Sequence, residues 1–375
     1  MARRGPNIYK RNDGRWEGRY MVGRKPDGTP RYRSIYGQTF GEVRDRLLPL
    51  KVAYMEQGPE PRNTNPFHEY LLADLAQKRA SGIKASSYDS YYRTVHKHIM
   101  PALGHIRMHH LTTQHVRQFL SDLHGKGLSD STIYSIYRYQ SSVTRAAAKT
   151  GAMARDICAD ITLAKPKPKK VRALSRAEQK RLEVVAVEAM EKGKGQGLEA
   201  LLALYAGLRV GEISALQWED IDFSSGIIHV RHTMQRLTLH DTAEKTTVRV
   251  GTPKSESSER DVPLGDYLSK ALLKHRRLTP GKYVITSRRR DFAEPRVLQY
   301  RFERLLKLAE IPHVGFHTTR HSFATRCMEF NTDIAAISGL LGHSSVKQTS
   351  DTYIDSLYEQ RVAAVNKLDA LALAG

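Results

Sequence analysis

The chain has 375 residues, 40% hydrophobic and 26% charged, so it has the apolar mass for ordinary cores and is not a disordered polyelectrolyte. Lysine and arginine number 60 against 39 acidic residues, a formal net charge of +21, which calls for a polyanionic partner, nucleic acid ahead of a membrane surface. No apolar run approaches the ~18 residues of a membrane span, and the N-terminal MARRGPNIYKRNDG lacks the apolar centre of a signal peptide.

Cys158 and Cys327 are far apart and form no CxxC pair, so both are expected to be small buried side chains in a reducing cytoplasm. The length suggests two or three domains, and the chain reads as three blocks.

Residues 1–57 are the first. In RWEGRYMV, Trp16, Gly18, Tyr20 and Val22 share one strand face and Arg15, Glu17, Arg19 and Met21 the other. After the turn signal PDGTP, Arg31, Arg33 and Ile35 alternate with Tyr32, Ser34 and Tyr36. The pattern predicts a small antiparallel sheet with one basic face, then a helix from about Phe40 to Met55. A ribbon bearing Arg15, Arg19, Arg31 and Arg33 is one way to enter a DNA major groove, although a solvated strand face carries the same letters.

Residues 58–65 form a Pro/Gly/Asn linker, and 66–163 the second block. This block reads as four helical segments, FHEYLLADLAQKRA, SSYDSYYRTVHKHIMPAL, TTQHVRQFLSDLHGKG and SDSTIYSIYRYQSSVTRAAAKTG, the last capped by Ser129 or Asp130. Basic residues and tyrosines interleave, as in SYYRTVHKH, which suits phosphate contacts and amphipathic packing equally. Residues 164–173, AKPKPKKVRA, form a second linker. Alternating Pro and Lys keep it extended and cationic, so that Lys167 and Lys169 can lie along a phosphate backbone or simply solvate a hinge.

The third block, 174–375, opens with a capping box, Ser175 and Glu178. In LYAGLRVGEISALQW, Gly207 can end one apolar helix and GEISALQW begin the next, leaving Arg209 at the turn between them. A cation there needs an anion, either Glu212 internally or a bound phosphate. GTPKSESSERDVPL places Lys254 between strand-like runs, as on a hairpin. FHTTRHSFATR supplies His317, Arg320 and His321, and LLGHSSVKQTSDTY supplies His343 and, after a short helix, Tyr353. His317 and His321 have the i, i+4 spacing of zinc ligands, but the glutamate of that motif is missing and Arg320 would repel a metal ion. Arginines grouped with histidines suit a phosphate instead.

GLRVGEISAL, HTTRHSFAT, LLGH and a tyrosine ten residues after that histidine resemble the tyrosine recombinase (phage integrase) family in order and spacing. The first two blocks resemble the arm-binding and core-binding domains of integrases from temperate phages and conjugative transposons. The resemblance implies a multidomain α+β fold: a small antiparallel-sheet N-terminal domain, an all-helical core-binding domain, and a mixed, mainly α catalytic domain with a small β-sheet. It assigns Arg209 and Arg320 as the catalytic arginines, Lys254 as the hairpin lysine, His317 and His343 as the catalytic histidines, and Tyr353 as the nucleophile, with Tyr358 its rival. Glu212 and His321 support them.

The implied activity is site-specific strand cleavage and rejoining through a 3′-phosphotyrosine, with no metal or ATP, in the cytoplasm of a bacterial host. The implied partners are double-stranded DNA at crossover and arm sites, and further copies of the chain in a tetramer joined by the C-terminal tail, where Val362, Val365, Leu368 and Leu371 recur. An accessory excision factor or a DNA-bending protein is a further implied partner. A type IB topoisomerase and a non-catalytic DNA-binding protein are the alternatives.

Overall fold

The computed structural model describes residues 7–24, 29–57, 65–167, 172–192, 196–240, 246–252, 256–279, 281–288, 290–352 and 365–366. The chain divides into two compact units, Met1–Pro168 and Lys169–Gly375.

The first unit begins with strands β1 (Ile8–Lys10), β2 (Trp16–Arg24) and β3 (Pro30–Gly37), antiparallel in that order, followed by helix α1 (Phe40–Gln57). The helix covers one sheet face: Val22, Val43 and Leu47 are buried, and Trp16 meets Phe40 edge to face at 5.3 Å. Gly18 is what lets the helix come so close, because a Cβ there would lie 2.6 Å from Val43 Cγ1.

The expectation of a single basic face is corrected by the register. Gly18 pairs with Ile35 and Tyr20 with Arg33, whereas Arg19 pairs with Ser34. Residues directly opposite in an antiparallel pair project to the same side, so Arg31 and Arg33 belong to the α1 side of the sheet and Arg19 to the open side. On the open side Glu17 is only 1% exposed. It accepts hydrogen bonds from the Ser34 hydroxyl (2.6 Å), Arg11 (2.7 Å) and Arg19 (2.9 Å). The Ser34 hydroxyl and the two guanidiniums hold its carboxyl at about 2. Arg19 lies over the Tyr9 ring at 5.3 Å, and Arg11 and Arg15 over Tyr36 at 5.6 Å, while Arg15 also pairs with Asp13.

The remainder of this unit is helical: α2 (Phe67–Ala80), α3 (Ala85–Thr94), α4 (Met100–Leu103), α5 (Thr113–Gly125) and α6 (Asp130–Lys149). The second expected segment is broken, because Val95–Ile99 form a π turn between α3 and α4. Pro101 follows it; a proline has no N–H to donate and its ring crowds the carbonyl one turn back, which favours a widened turn. Ser129 caps α6 by accepting from the Thr132 N–H. Phe67, Leu71, Ile99, Met108, Leu123, Ile133 and Ile136 form the centre of one apolar core.

The second unit contains α7 (Arg176–Glu191), α8 (Leu198–Tyr205), α9 (Val210–Ala215), β4 (Ile221–Asp222), β5 (Ile227–Val230), β6 (Thr233–Thr238), β7 (Thr246–Gly251), β8 (Arg260–Pro263), α10 (Asp266–Arg276), α11 (Pro295–Leu308), α12 (His317–Glu329), α13 (Ile334–Leu341) and α14 (Val346–Thr352). Its strands form a three-stranded sheet, β4-β5-β8, and a β6-β7 hairpin. Ser175 and Glu178 make the expected capping box on α7. Helix α8 is buried from Leu198 to Leu204 and forms the middle of the core. Both cysteines are free; Cys158 is buried, as expected, but Cys327 is only half-buried. Among the described residues no helix is long and apolar enough to cross a membrane.

Replacing Gly18 with valine is expected to destabilise the β1–β3 sheet and α1 by about 1–3 kcal/mol, the usual cost of forcing extra methyls into a packed face. Hydrogen exchange of the full chain checks this: amides of residues 16–37 should exchange faster, and those of α5 and α6 should not.

Candidate active site

Helix α8 stops because Gly207 takes a left-handed φ of 62°. A Cβ at that position would lie 2.6 Å from the Phe323 ring. The chain turns, and Arg209 becomes the N-cap of α9. Its backbone N–H donates to Glu212 Oε2 (2.9 Å), its Nη1 to Glu212 Oε1 (2.7 Å) and its Nη2 to the Gly342 carbonyl (3.1 Å). The internal anion considered for Arg209 is therefore present, yet 34% of the arginine side chain remains exposed.

Glu212 has a second cationic partner. Arg260, the first residue of β8, donates Nη1 and Nη2 to its two carboxylate oxygens at 3.2 and 3.0 Å. Burial alone would push the Glu212 carboxyl up, but Arg260 and Arg209 hold it below its ordinary value. Arg260 also donates Nε to the Leu340 carbonyl (2.7 Å) and Nη1 to that of Ser258 (3.0 Å). Arg320, on the first turn of α12 and 2% exposed, donates to the carbonyls of Gly207 (2.6 Å) and Leu341.

The end of α13 is thus the meeting point. The last carbonyls of a helix lack intrahelical partners and form the negative end of its dipole. Here those of Leu340, Leu341 and Gly342 receive Arg260, Arg320 and Arg209 in turn. Gly342 closes the helix at φ 59°, and a Cβ on it would lie 2.9 Å from the Ser257 carbonyl. That crowding explains the glycine before His343.

Three histidines stand around these arginines. The His317 and His321 rings lie edge to face, 4.8 Å apart. His343 Nδ1 is 2.8 Å from the hydroxyl of Thr349, a fully buried residue of α14. Desolvation of the half-buried ring, then the charges of Arg320 and Arg209, push the His343 pKa down from 6.5 to about 4. Desolvation and then the charge of Arg320 also push down the pKa of His321, which is 9% exposed. The His317 pKa is pushed down by desolvation and then by His321, Arg320 and Arg209.

Arg209, Glu212, His317, Arg320, His321 and His343 are therefore one cluster. Lys254, Tyr353, Tyr358 and Lys169 lie outside the described residues. Lys167 is exposed in the segment before α7. Arg260 and Thr349 are the members that sequence reasoning missed. Arg260 did carry the signal that drew notice to Arg209, a permanent cation at the entrance to an apolar run, here RDVPL.

Because the folded site resists protonating His343, the unfolded chain takes up that proton first as pH falls. Stability is then complete above pH 6.5 and declines between 6.5 and 4. Urea midpoints measured across that window should fall less steeply for His343→Gln than for the wild type.

The Phage integrase family matches residues 187–360, and the phage integrase N-terminal SAM-like domain matches residues 67–124. A tyrosine recombinase XerC-like protein of Caldanaerobacter subterraneus subsp. tengcongensis is 26% identical over 93% of this chain and 94% of its own length. An integrase of Saccharopolyspora erythraea is 23% identical over 94% of this chain and 95% of its own. Among solved structures, the Tn1549 transposon integrase in complex with a circular intermediate DNA superposes with a TM-score of 0.66 at 19% identity, covering 80% of this chain and 99% of that one. A lambda integrase dimer bound to a COC′ core site superposes with a TM-score of 0.62 at 20% identity, covering 94% of this chain and 96% of that one. The multidomain α+β fold is that of the integrases, residues 187–360 are a Phage integrase family domain, and the chain is similar to tyrosine recombinases over nearly its whole length.

Proposed function

We propose that the chain is the site-specific recombinase of a mobile element, cutting and rejoining DNA strands to integrate or excise that element. The observation that carries this reading is the convergence of Arg209, Arg320 and His343 on the end of α13. Helix α14 follows at once and ends at Thr352, the residue before Tyr353.

A phosphodiester is anionic and repels a nucleophile, so the two guanidiniums bind its non-bridging oxygens and stabilise the charge that builds up in the pentacovalent transition state. A tyrosine hydroxyl titrates at about 10 and needs a base to attack at neutral pH. His317 takes that proton as the phenolic oxygen bonds to phosphorus. The bond to the 5′ oxygen breaks, and Lys254 supplies the proton that this oxygen gains. His343 donates a ring N–H to a phosphate oxygen. The product is a 3′-phosphotyrosine and a free 5′ hydroxyl. Attack by the 5′ hydroxyl of a partner strand reverses the step on a new strand, so bond energy is conserved.

The domain boundaries proposed with this function are 1–57 for arm-site binding, 66–163 for core-site binding and 174–375 for catalysis. In the first, the open sheet face offers arginines stacked on tyrosines, with Arg15 and Arg19 on that side. Lambda integrase has been seen as a tetramer bound to a Holliday junction. By analogy four copies of this chain assemble on two duplexes, linked by the apolar-faced tail.

The first test offers the protein a nicked suicide duplex carrying the element's own junction. A covalent protein–DNA adduct is expected from the wild type and none from Tyr353→Phe. An adduct surviving in that variant moves the nucleophile to Tyr358, and strand exchange between two duplexes separates recombination from relaxation of one. Deleting residues 362–375 is expected to weaken multimer formation on DNA more than single-site binding, as read by gel mobility; equal losses would count against the tail as the link.

A further inference from the structure

We infer that Arg260 is a positioning residue for strand cleavage, acting through Glu212 to leave Arg209 with surplus positive charge facing the phosphate. The inference rests on the recombinase reading above and adds a residue to it.

The geometry carries the argument. Glu212 is 3% exposed and touches both guanidiniums. With Arg209 alone, the buried carboxylate would form a neutral pair, and its attraction would compete with the DNA phosphate for the same cation. Arg260 takes both carboxylate oxygens in a fork, the geometry in which a guanidinium binds a carboxylate most firmly. The Arg209–Glu212–Arg260 group then has a net charge of +1. Its three members are unequally accessible: the side chains of Arg260 and Glu212 are 6% and 3% exposed, that of Arg209 34%. The surplus is thus presented at Arg209, which uses two of a guanidinium's five N–H donors on Glu212 and Gly342 among the described residues. Arg260 also donates to the Leu340 carbonyl, beside the one that receives Arg320.

A purely structural arginine and one that sets charge make different predictions. If Arg260 offsets Glu212, its loss should matter only while residue 212 is a carboxylate. The measurement is the single-turnover rate of covalent adduct formation on the nicked duplex, with duplex affinity and urea midpoint measured on the same full-length proteins. Arg260→Met is expected to slow adduct formation by about 10²-fold, the scale of a misplaced catalytic group, with affinity near that of the wild type. In a Glu212→Gln background the same substitution is expected to cost less than about threefold, since the two residues act as one coupled unit. Arg260→Lys keeps the charge without the fork and should recover most of the rate, which also guards against a methionine variant that does not fold.

An Arg260→Met protein as fast as wild type would overturn the inference. So would an equal penalty in the two backgrounds, or a lysine variant as slow as the methionine one. Absence of adduct from the wild type would overturn the recombinase reading itself, a result distinct from any of these.

Discussion

Three guanidiniums from three separate elements end on three successive carbonyl oxygens, those of Leu340, Leu341 and Gly342. A helix C-terminus leaves such carbonyls to water or to a glycine turn. Here the turn consumes only the earlier ones, with Gly342 N–H on Gly339 and His343 N–H on Ser338. The remaining oxygens are free to order arginines, and the arginines in turn hold α9, β8 and α12 to one point. Buried cations without anions are costly, so the helix dipole and the carboxylate of Glu212 help to offset this concentration of positive charge. The site depends on that balance: too little negative charge and the arginines would not fold inward, too much and they would have nothing left for a phosphate.

Burial and then the same positive charge lower the pKa of the nearby imidazoles. His343 and His321 are pushed down by desolvation and then by Arg320. A neutral imidazole can accept a proton or a hydrogen bond, which an imidazolium cannot. The arginines thus add to desolvation in favouring the neutral form of the imidazoles beside them. Thr349 ties His343 to α14, so the helix that precedes Tyr353 is joined to the arginine cluster through one hydrogen bond.

The N-terminal sheet uses a related device for another purpose. Glu17 is covered by Ser34, Arg11 and Arg19, and the arginines around it lie over Tyr9 and Tyr36. The buried carboxylate there orders a layer of guanidiniums and rings on an open surface. The opposite face is given to packing against α1, with Gly18 as the close approach.

Much of this was legible from local signals. The apolar period located α2, α5 and α6; Ser129 and Ser175 marked helix starts; Gly207 marked a stop, with Arg209 directly after it. Each rests on residues within one or two turns of each other, which is why a linear reading finds them. The family motifs also named Arg209, Arg320, His317 and His343 as a group, and the fold brings them together. What the linear reading could not decide was pairing over long separations. Whether Arg19 and Arg33 share a face depends on a strand register, and which oxygen receives each arginine depends on where residue 340 comes to rest against residue 260. In sequence Arg260 stands beside Asp261, with nothing to show that Glu212, 48 residues earlier, is its partner. Only the tertiary structure made it a partner of Glu212, because burial and charge balance are properties of what surrounds a side chain in space, and not of its neighbours in sequence.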